Sequence, residues 1–337
     1  DEPGRLKEVK GMGWYVDDYN LAQVTVNLNN YHVTPPHVLF EEVKKDAKDL
    51  SVAVTGSEIV GVVPMEAILM AADYYIEKEN LFILDEDQKV RLAIERLGLS
   101  SVAPFNPKEK IIEYKIAQEK NEPLAGMTVR EFIEEVASRS SAPGGGSASA
   151  AIAAMGAGLG SMGAKVTLGV RKFEDLDAKM RKHAGQLHHA ANALIPMIDA
   201  DTDAFKDYVE ALRLPFVTKE EKNVKQERLQ QGLKKAIDVP LTTMKLADAA
   251  WDAMIGIAEH GNIASKSDIE VGAKAMETGI WGAYKNVMIN LTDITDENFK
   301  HQTIKLAEDM KTRAEQQFKR VVQVLEERPQ STPQVVL

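Results

Sequence analysis

Between Arg139 and Lys165 the chain carries no charged side chain, and the run opens on a proline followed by three glycines, "SAPGGGSASAAIAAMGAGLG". No other stretch restricts the fold as strongly. The run is long enough to cross a bilayer, but it is mostly Ala, Gly and Ser. It lacks the Leu, Ile, Phe and Val that favour insertion, so no membrane span is expected. Read instead as a globular helix, it places Gly156 and Gly160 four residues apart on one face, with Ala153 and Ala157 nearby. Small residues at that spacing let helix backbones approach closely. The sequence predicts a thin helix held against a neighbour, within a bundle or across a dimer. The amides of Gly144, Gly145 and Gly146 precede its N-terminus, where unpaired N–H groups and the helix dipole favour anions. A bound carboxylate or phosphate and a plain helix–helix turn both fit this loop. It ends in neither the Gly-Lys-Ser/Thr of a Walker loop nor the strand–turn–helix context of a dinucleotide fold.

The flanking sequence divides in two. Before the run, "AQVTVNLNNY" alternates as a half-buried strand does. In "TPPHVLFEEVKKDAKDL", Thr34 is the expected N-cap and Pro35 sits in the first turn. "SVAVTGSEIVGVVP" reads as strand, glycine turn, strand, and "MEAILMAADYYI" and "KVRLAIERLGL" read as helices. The polar "EKNEPLAGM" forms a joint. Thr128 and Glu131 then match the capping box, with Met127 and Phe132 as hydrophobic staple. Helices are expected over 128–138, 146–168, 173–212, 219–237, 240–259, 267–291 and 296–325. The predicted fold is an α/β N-terminal subdomain followed by an all-α helical bundle domain. The expected boundaries are 1–118, a linker 119–127, a helical domain 128–327 and a tail 328–337.

A net charge of −10 argues against nucleic acid as partner, and the absence of cysteine excludes disulfides, thiolate metal sites and Cys nucleophiles. The seven histidines lack the i,i+4 spacing of a helical zinc site, and no metal is expected. The chain opens "DEPGRLKE", and no signal peptide is expected.

One acid stands out. On a helical wheel of about 100° per residue, with Asp199 at zero, Asp203, Asp207 and Glu210 fall within about 80° of it and form one polar face. Asp201 falls near 200°, among Leu194, Met197, Phe205, Tyr208 and Leu212. A carboxylate on an apolar face is costly unless it is paired or its pKa rises. Acid–base chemistry and a structural role, as a cap or a lysine partner, are both open for it. Asn286 and Asn290 share a helix face and could read a heterocycle or bridge helices. Arg139 could hold an anion or be solvated. Ser267 and Asp268 stand at an expected helix start, where capping accounts for Ser267.

"SAPGGGS", "DADTDAF", "GNIASKSD" and "GAYKNVMINL" together resemble the cyclodeaminase domain of the formiminotransferase-cyclodeaminase family. "GWYVDD", "AQVTVNL", "TPPHVLFEEV" and "GSEIVGVVP" resemble the C-terminal subdomain of its transferase. The resemblance runs through nearly the whole chain, in order. It implies a folate enzyme of histidine degradation. Its transferase moves a formimino group from formiminoglutamate to tetrahydrofolate. Its cyclodeaminase converts 5-formiminotetrahydrofolate to 5,10-methenyltetrahydrofolate and ammonia. It further implies polyglutamylated tetrahydrofolate as co-substrate, no metal, and a ring of dimers. It implies a cytosolic location, with Golgi, centrosome or cytoskeletal association in vertebrate members. The second Asp of "DAD", Asp201, corresponds to the active-site acid of the family. Arg139, Pro143, Gly144, Gly145, Gly146, Ser147, Asp268, Asn286 and Asn290 are the folate-binding candidates. The family's transferase histidine lies in a subdomain that would precede this chain, so transferase activity is expected only with that subdomain present. Two alternatives stand beside this reading: a methenyltetrahydrofolate cyclohydrolase on the same helical fold, and a non-catalytic helical scaffold.

Overall fold

The computed structural model describes residues 4–18, 20–116 and 122–328. Part of the expected linker and nearly all of the expected tail therefore lie outside the described residues. The chain divides into two compact units, Asp1–Asn121 and Glu122–Leu337.

In the first unit, β1 (Val9–Val16) and β2 (Leu21–Leu28) pair antiparallel, with Val9 opposite Leu28 and Val16 opposite Leu21. Helices α1 (Pro36–Asp49), α2 (Met65–Lys78) and α3 (Glu86–Arg96) follow, then the short α4 (Pro107–Lys110) and α5 (Ile112–Ile116). The core is built on α2 and α3: Ile68, Ala71, Ala72, Tyr75, Val90, Ala93 and Leu97 are buried together with Ile111. Thr34 is not the N-cap. Its hydroxyl donates to the Lys7 carbonyl at 2.7 Å, and the helix begins at Pro36.

The α/β expectation survives here only as a small two-stranded sheet beside helices. The two strands expected in "SVAVTGSEIVGVVP" are absent; a single bridge, Val63 to Ile111, remains. The physical reason lies in the turn after α3. Ser57 donates its amide to the Gly98 carbonyl at 3.1 Å and its hydroxyl to the Leu97 carbonyl at 2.6 Å. Gly56 lies against that turn so closely that a Cβ would stand 2.1 Å from Ser101 Oγ. These bonds hold the segment to a helix end, and no neighbouring strand among the described residues takes up the remaining backbone groups, as a ladder would need.

The second unit is helical: α6 (Val129–Val136), α7 (Gly145–Lys165), α8 (Asp177–Leu212), α9 (Lys219–Asp248), α10 (Trp251–His260), α11 (Lys266–Asn290) and α12 (Glu297–Glu327). The capping box at α6 is present, with Thr128 N donating to Glu131 at 2.8 Å and Glu131 N to Thr128 Oγ1 at 3.3 Å. Met127 and Phe132 pack on one cluster with Leu124, Ala150 and Ile198, as a staple does.

The thin helix α7 lies between α8 and α11 and packs along both. A Cβ on Gly156 would stand 2.6 Å from the Gly272 carbonyl oxygen, and one on Gly279 2.6 Å from Ala153 Cβ. Small residues on both helices are what let the two backbones meet. No helix among the described residues is long and apolar enough to cross a membrane.

Proline placement misleads the sequence reading at α9. A break was expected before Pro240, yet the helix runs through it to Asp248. Proline removes the N–H that would bond the carbonyl four residues back. Here that carbonyl, Ala236 O, accepts instead from Asn290 Nδ2 of α11 at 3.0 Å. Likewise, α11 begins at Lys266, after a short 3₁₀ turn capped by Asn262, so Ser267 lies inside the helix and does not cap it.

Candidate active site

The site is assembled where the N-terminus of α7 meets the middle of α8. α7 starts on Gly144, Gly145 and Gly146, with no side-chain cap of its own. The carboxylate of Asp201 supplies one from outside. Its Oδ2 accepts from the Ser147 amide at 3.0 Å and lies 3.4 Å from the Ser147 hydroxyl. That hydroxyl donates to the Ile198 carbonyl at 2.7 Å and sits 3.2 Å from Thr202 Oγ1. Ser147, itself buried, thus joins α7 to α8 through both of its polar atoms.

This contact explains the glycines. A Cβ on Gly146 would stand 2.0 Å from Asp201 Oδ1, and one on Gly145 3.3 Å from Asn286 Nδ2. Neither glycine has positive φ. The loop is bare because a carboxylate and an amide stand against it, and not because its backbone is forced into a left-handed turn.

The carboxylate is under two opposing influences. Burial raises its pKa above the ordinary aspartate value, and the Ser147 amide and hydroxyl pull it back down. The balance leaves it raised. Ser147 also sits in the first turn of α7, where the helix dipole favours the anion. The result is a carboxyl group fixed in place that can both take and return a proton.

The wheel requires two corrections. Asp199 does not belong to the polar face. It is buried, and its two oxygens accept from the amides of Leu124 at 2.8 Å and Ala125 at 3.0 Å. The buried stripe of α8 runs through Leu187, Leu194, Ile198 and Thr202, with Phe205 and Tyr208 only half-buried. Its centre is displaced from the aromatic residues used to place it, so Asp199 and Asp201 occupy its opposite flanks. Asp203 and Asp207 are exposed and paired with Lys206 and Lys235.

Of the other candidates, Asn286 reaches the loop. Its Nδ2 also donates to the Gly282 carbonyl at 2.9 Å. Pro143 is buried at the entry to α7, and Arg139 is exposed just before it. Asn290 is engaged by Ala236, as described above. Asp268 is in the first turn of α11, about 27 Å of helix from Asn286 at 1.5 Å per residue. The structure does not bring it to Asp201 within one chain. The residue that sequence reasoning undervalued is Ser147. Its small side chain read as part of the loop, and only the packing of α7 on α8 shows its role as a link.

Both units of the chain resemble known proteins. The family profile described as Formiminotransferase-cyclodeaminase matches residues 128–309, and the Formiminotransferase domain profile matches residues 1–117. A formimidoyltransferase-cyclodeaminase of Dictyostelium discoideum is 53% identical over 97% of this chain. The chain spans 60% of that relative's length. A methenyltetrahydrofolate cyclohydrolase of Methylorubrum extorquens is 32% identical over 54% of the chain and 88% of its own length. Among solved structures, a formiminotetrahydrofolate cyclodeaminase of Thermotoga maritima matches with a TM-score of 0.54 and 27% identity, over 60% of this chain and 96% of that one. With its helical unit matched in sequence and in fold, and its first unit matched by the transferase profile, the chain belongs to the formiminotransferase-cyclodeaminase family.

Proposed function

We propose that the helical unit is a cyclodeaminase that closes 5-formiminotetrahydrofolate to 5,10-methenyltetrahydrofolate and releases ammonia. The observation that carries this reading is the fixed carboxyl of Asp201 at the mouth of the glycine loop, with its pKa raised by burial. N10 of the folate attacks the formimino carbon and gives up its proton. The formimino nitrogen must gain a proton to leave as ammonia. The formimino group enters as its amidinium, CH=NH2+, so the one proton that Asp201 takes from N10 and hands to the resulting amine completes NH3, whose departure leaves the positively charged methenyl product. General acid–base transfer of this kind contributes about 10²–10⁴-fold. Asn286 and the glycine loop orient the folate; Arg139, exposed beside them, meets a carboxylate of its glutamate or polyglutamate tail.

The first unit supplies part of a glutamate formiminotransferase, and the chain as a whole serves folate-dependent histidine degradation. We also infer a homo-oligomer. α7 presents an apolar stripe at helical spacing, Ile152, Met155, Leu159, Met162 and Val166, of which Met155 is 60% and Val166 43% exposed. A second copy would cover it. A cytosolic location with Golgi and centrosome association rests on family resemblance.

The likeness to the cyclohydrolase supports a second reading. The same acid would then assist water attack on 5,10-methenyltetrahydrofolate. Purified protein offered 5-formiminotetrahydrofolate, followed by methenyl absorbance and ammonia release, separates the two. A gain of both supports the cyclodeaminase. No gain, together with loss of added methenyl compound, replaces it with the cyclohydrolase.

A further inference from the structure

An acid that exchanges protons must be stable in two charge states. The ionised carboxylate takes only donors, whereas the protonated one also needs an acceptor. The Ser147 amide, 3.0 Å from Asp201 Oδ2, is a donor and nothing else. A hydroxyl is both, and two of them lie behind the carboxyl, Ser147 Oγ and Thr202 Oγ1, 3.2 Å apart. Ser147 is fully buried and Thr202 is 7% exposed.

Ser147 has one hydroxyl proton and three neighbouring oxygens: the Ile198 carbonyl at 2.7 Å, Thr202 Oγ1 at 3.2 Å and Asp201 Oδ2 at 3.4 Å. The first is at ordinary hydrogen-bond length and the last is beyond it. The proton therefore lies on Ile198 in this structure, and Thr202 is the donor in its contact with Ser147. Thr202 also stands four residues after Ile198, the spacing at which a helical threonine hydroxyl reaches the carbonyl one turn back. A rotation of the Ser147 hydroxyl is all that moves its proton from Ile198 toward the carboxylate.

Charged side chains are engaged elsewhere. α7 carries none before Lys165 in its last turn. On α8, Asp199 accepts from Leu124 and Ala125, and Asp203 pairs with Lys206. α9 meets α8 with Lys235, which pairs with Asp207. α11 brings the neutral Asn286, while its Lys285 lies over Trp281 and Tyr284. Arg139 is exposed ahead of α7. Burial and Ser147 are the influences that set the acidity of Asp201.

We propose that Ser147 and Thr202 form a hydroxyl relay that follows the charge of Asp201, with Thr202 a positioning residue that acts through Ser147. When Asp201 is ionised, Ser147 turns its proton to Oδ2 and Thr202 donates to Ser147, so each hydroxyl polarises the next. When Asp201 is protonated, Ser147 turns its proton back to Ile198 and accepts from the carboxyl. Neither hydroxyl gives up its proton. The relay rests on the reading of Asp201 as the proton-exchanging acid.

The titration of the Asp201 carboxyl tests it without substrate. It is read by carbon-13 NMR of protein labelled at aspartate Cγ, with the signal assigned by its loss in Asp201→Asn. Ser147→Ala removes a donor to the ionised form, so the midpoint should rise by about 0.5–1 pH unit. Thr202→Val, close in shape, should raise it by a smaller step of about 0.3 pH unit. Thr202→Ala, which cannot overpack, should shift it likewise, and Thr202→Ser should restore the parent midpoint. In a Ser147→Ala background, Thr202→Val should add nothing, because the relay is already cut. The acid limb of kcat/KM for 5-formiminotetrahydrofolate should move with the midpoint in each variant. A midpoint unmoved by Thr202→Val and Thr202→Ala, one not restored by Thr202→Ser, or an equal rise with and without the Ser147 hydroxyl would overturn the proposal. Midpoints that shift as expected in a protein without cyclodeaminase turnover would uphold the relay and refute the proposed activity instead.

Discussion

The two flanks of α8 carry the same chemistry for different ends. On one, Asp199 accepts two backbone amides, from Leu124 and Ala125, and is buried. On the other, Asp201 accepts one amide, from Ser147, and keeps part of its carboxylate open beside a glycine loop. Both acids cap backbone that precedes or begins a helix. What separates them is saturation. An acid with both oxygens spent on amides holds the chain in place. An acid with lone pairs to spare, raised in pKa and facing a bare backbone, can exchange protons.

The largest difference is expected in turnover. Asp201→Asn retains an oxygen for the Ser147 amide, so the helix cap survives, while proton transfer is lost. Cyclodeamination should fall by about 10²–10⁴-fold. Stability at neutral pH should not fall. The folded state binds the Asp201 proton more tightly than the unfolded state, so this group's contribution is fully present below the unfolded pKa and is lost as pH rises through the raised folded value. A permanently neutral amide removes that loss. A melting temperature clearly below the parent's would make Asp201 a structural acid like Asp199.

Gly146→Ala comes next. Its Cβ would land among the carboxyl atoms of Asp201, at 2.0–2.4 Å, and must displace them. A displacement of about 1 Å at a reacting group can cost about 10²-fold in rate. Alanine's helix propensity, worth about 1 kcal/mol over glycine, offsets part of the strain. Activity should therefore fall far more than stability. Unchanged kcat would remove the loop from the site.

Asp199→Asn reverses the pattern. An amide can accept from only one of the two N–H groups and turns its own donor on the other. A loss of about 1–3 kcal/mol in chemical denaturation is expected, from an unsatisfied buried group, with kcat nearly kept. Comparable kcat losses in Asp199→Asn and Asp201→Asn would erase the distinction between the flanks. The smallest effect belongs to Asp203→Asn. Its exposed pair with Lys206 contributes at most about 1 kcal/mol, and both stability and turnover should match the parent.

The sequence revealed these features unevenly, and each failure has a physical cause. The capping box at Thr128 and Glu131 and the thin helix were legible because their signals are local: a residue spacing, a run of small side chains. The wheel separated Asp201 from the exposed Asp203 and Asp207, but it set Asp201 at the centre of the stripe and not on its flank, and it misjudged Asp199. Hydrophobicity alone set the centre of the stripe on Phe205 and Tyr208, which turn out half-buried. The role of Asn290 could not be read locally, because the carbonyl it serves is orphaned by Pro240 on another helix. The strands expected around Gly56 failed for the same kind of reason. Alternation marks a segment that can pair, and only the fold decides whether a neighbour is there.

The central claim is that a carboxyl group of raised pKa at Asp201 moves the proton of ring closure. The direct measurement is the pH dependence of kcat/KM for 5-formiminotetrahydrofolate, in the parent and in Asp201→Asn. The ionised acid must accept the N10 proton, so activity should fall as pH drops through its pKa. The acid limb should lie above the ordinary aspartate value of about 3.9. In Asp201→Asn the residual rate should lose that limb. An acid limb at the ordinary carboxylate position, or one that persists unchanged in the variant, would contradict the account.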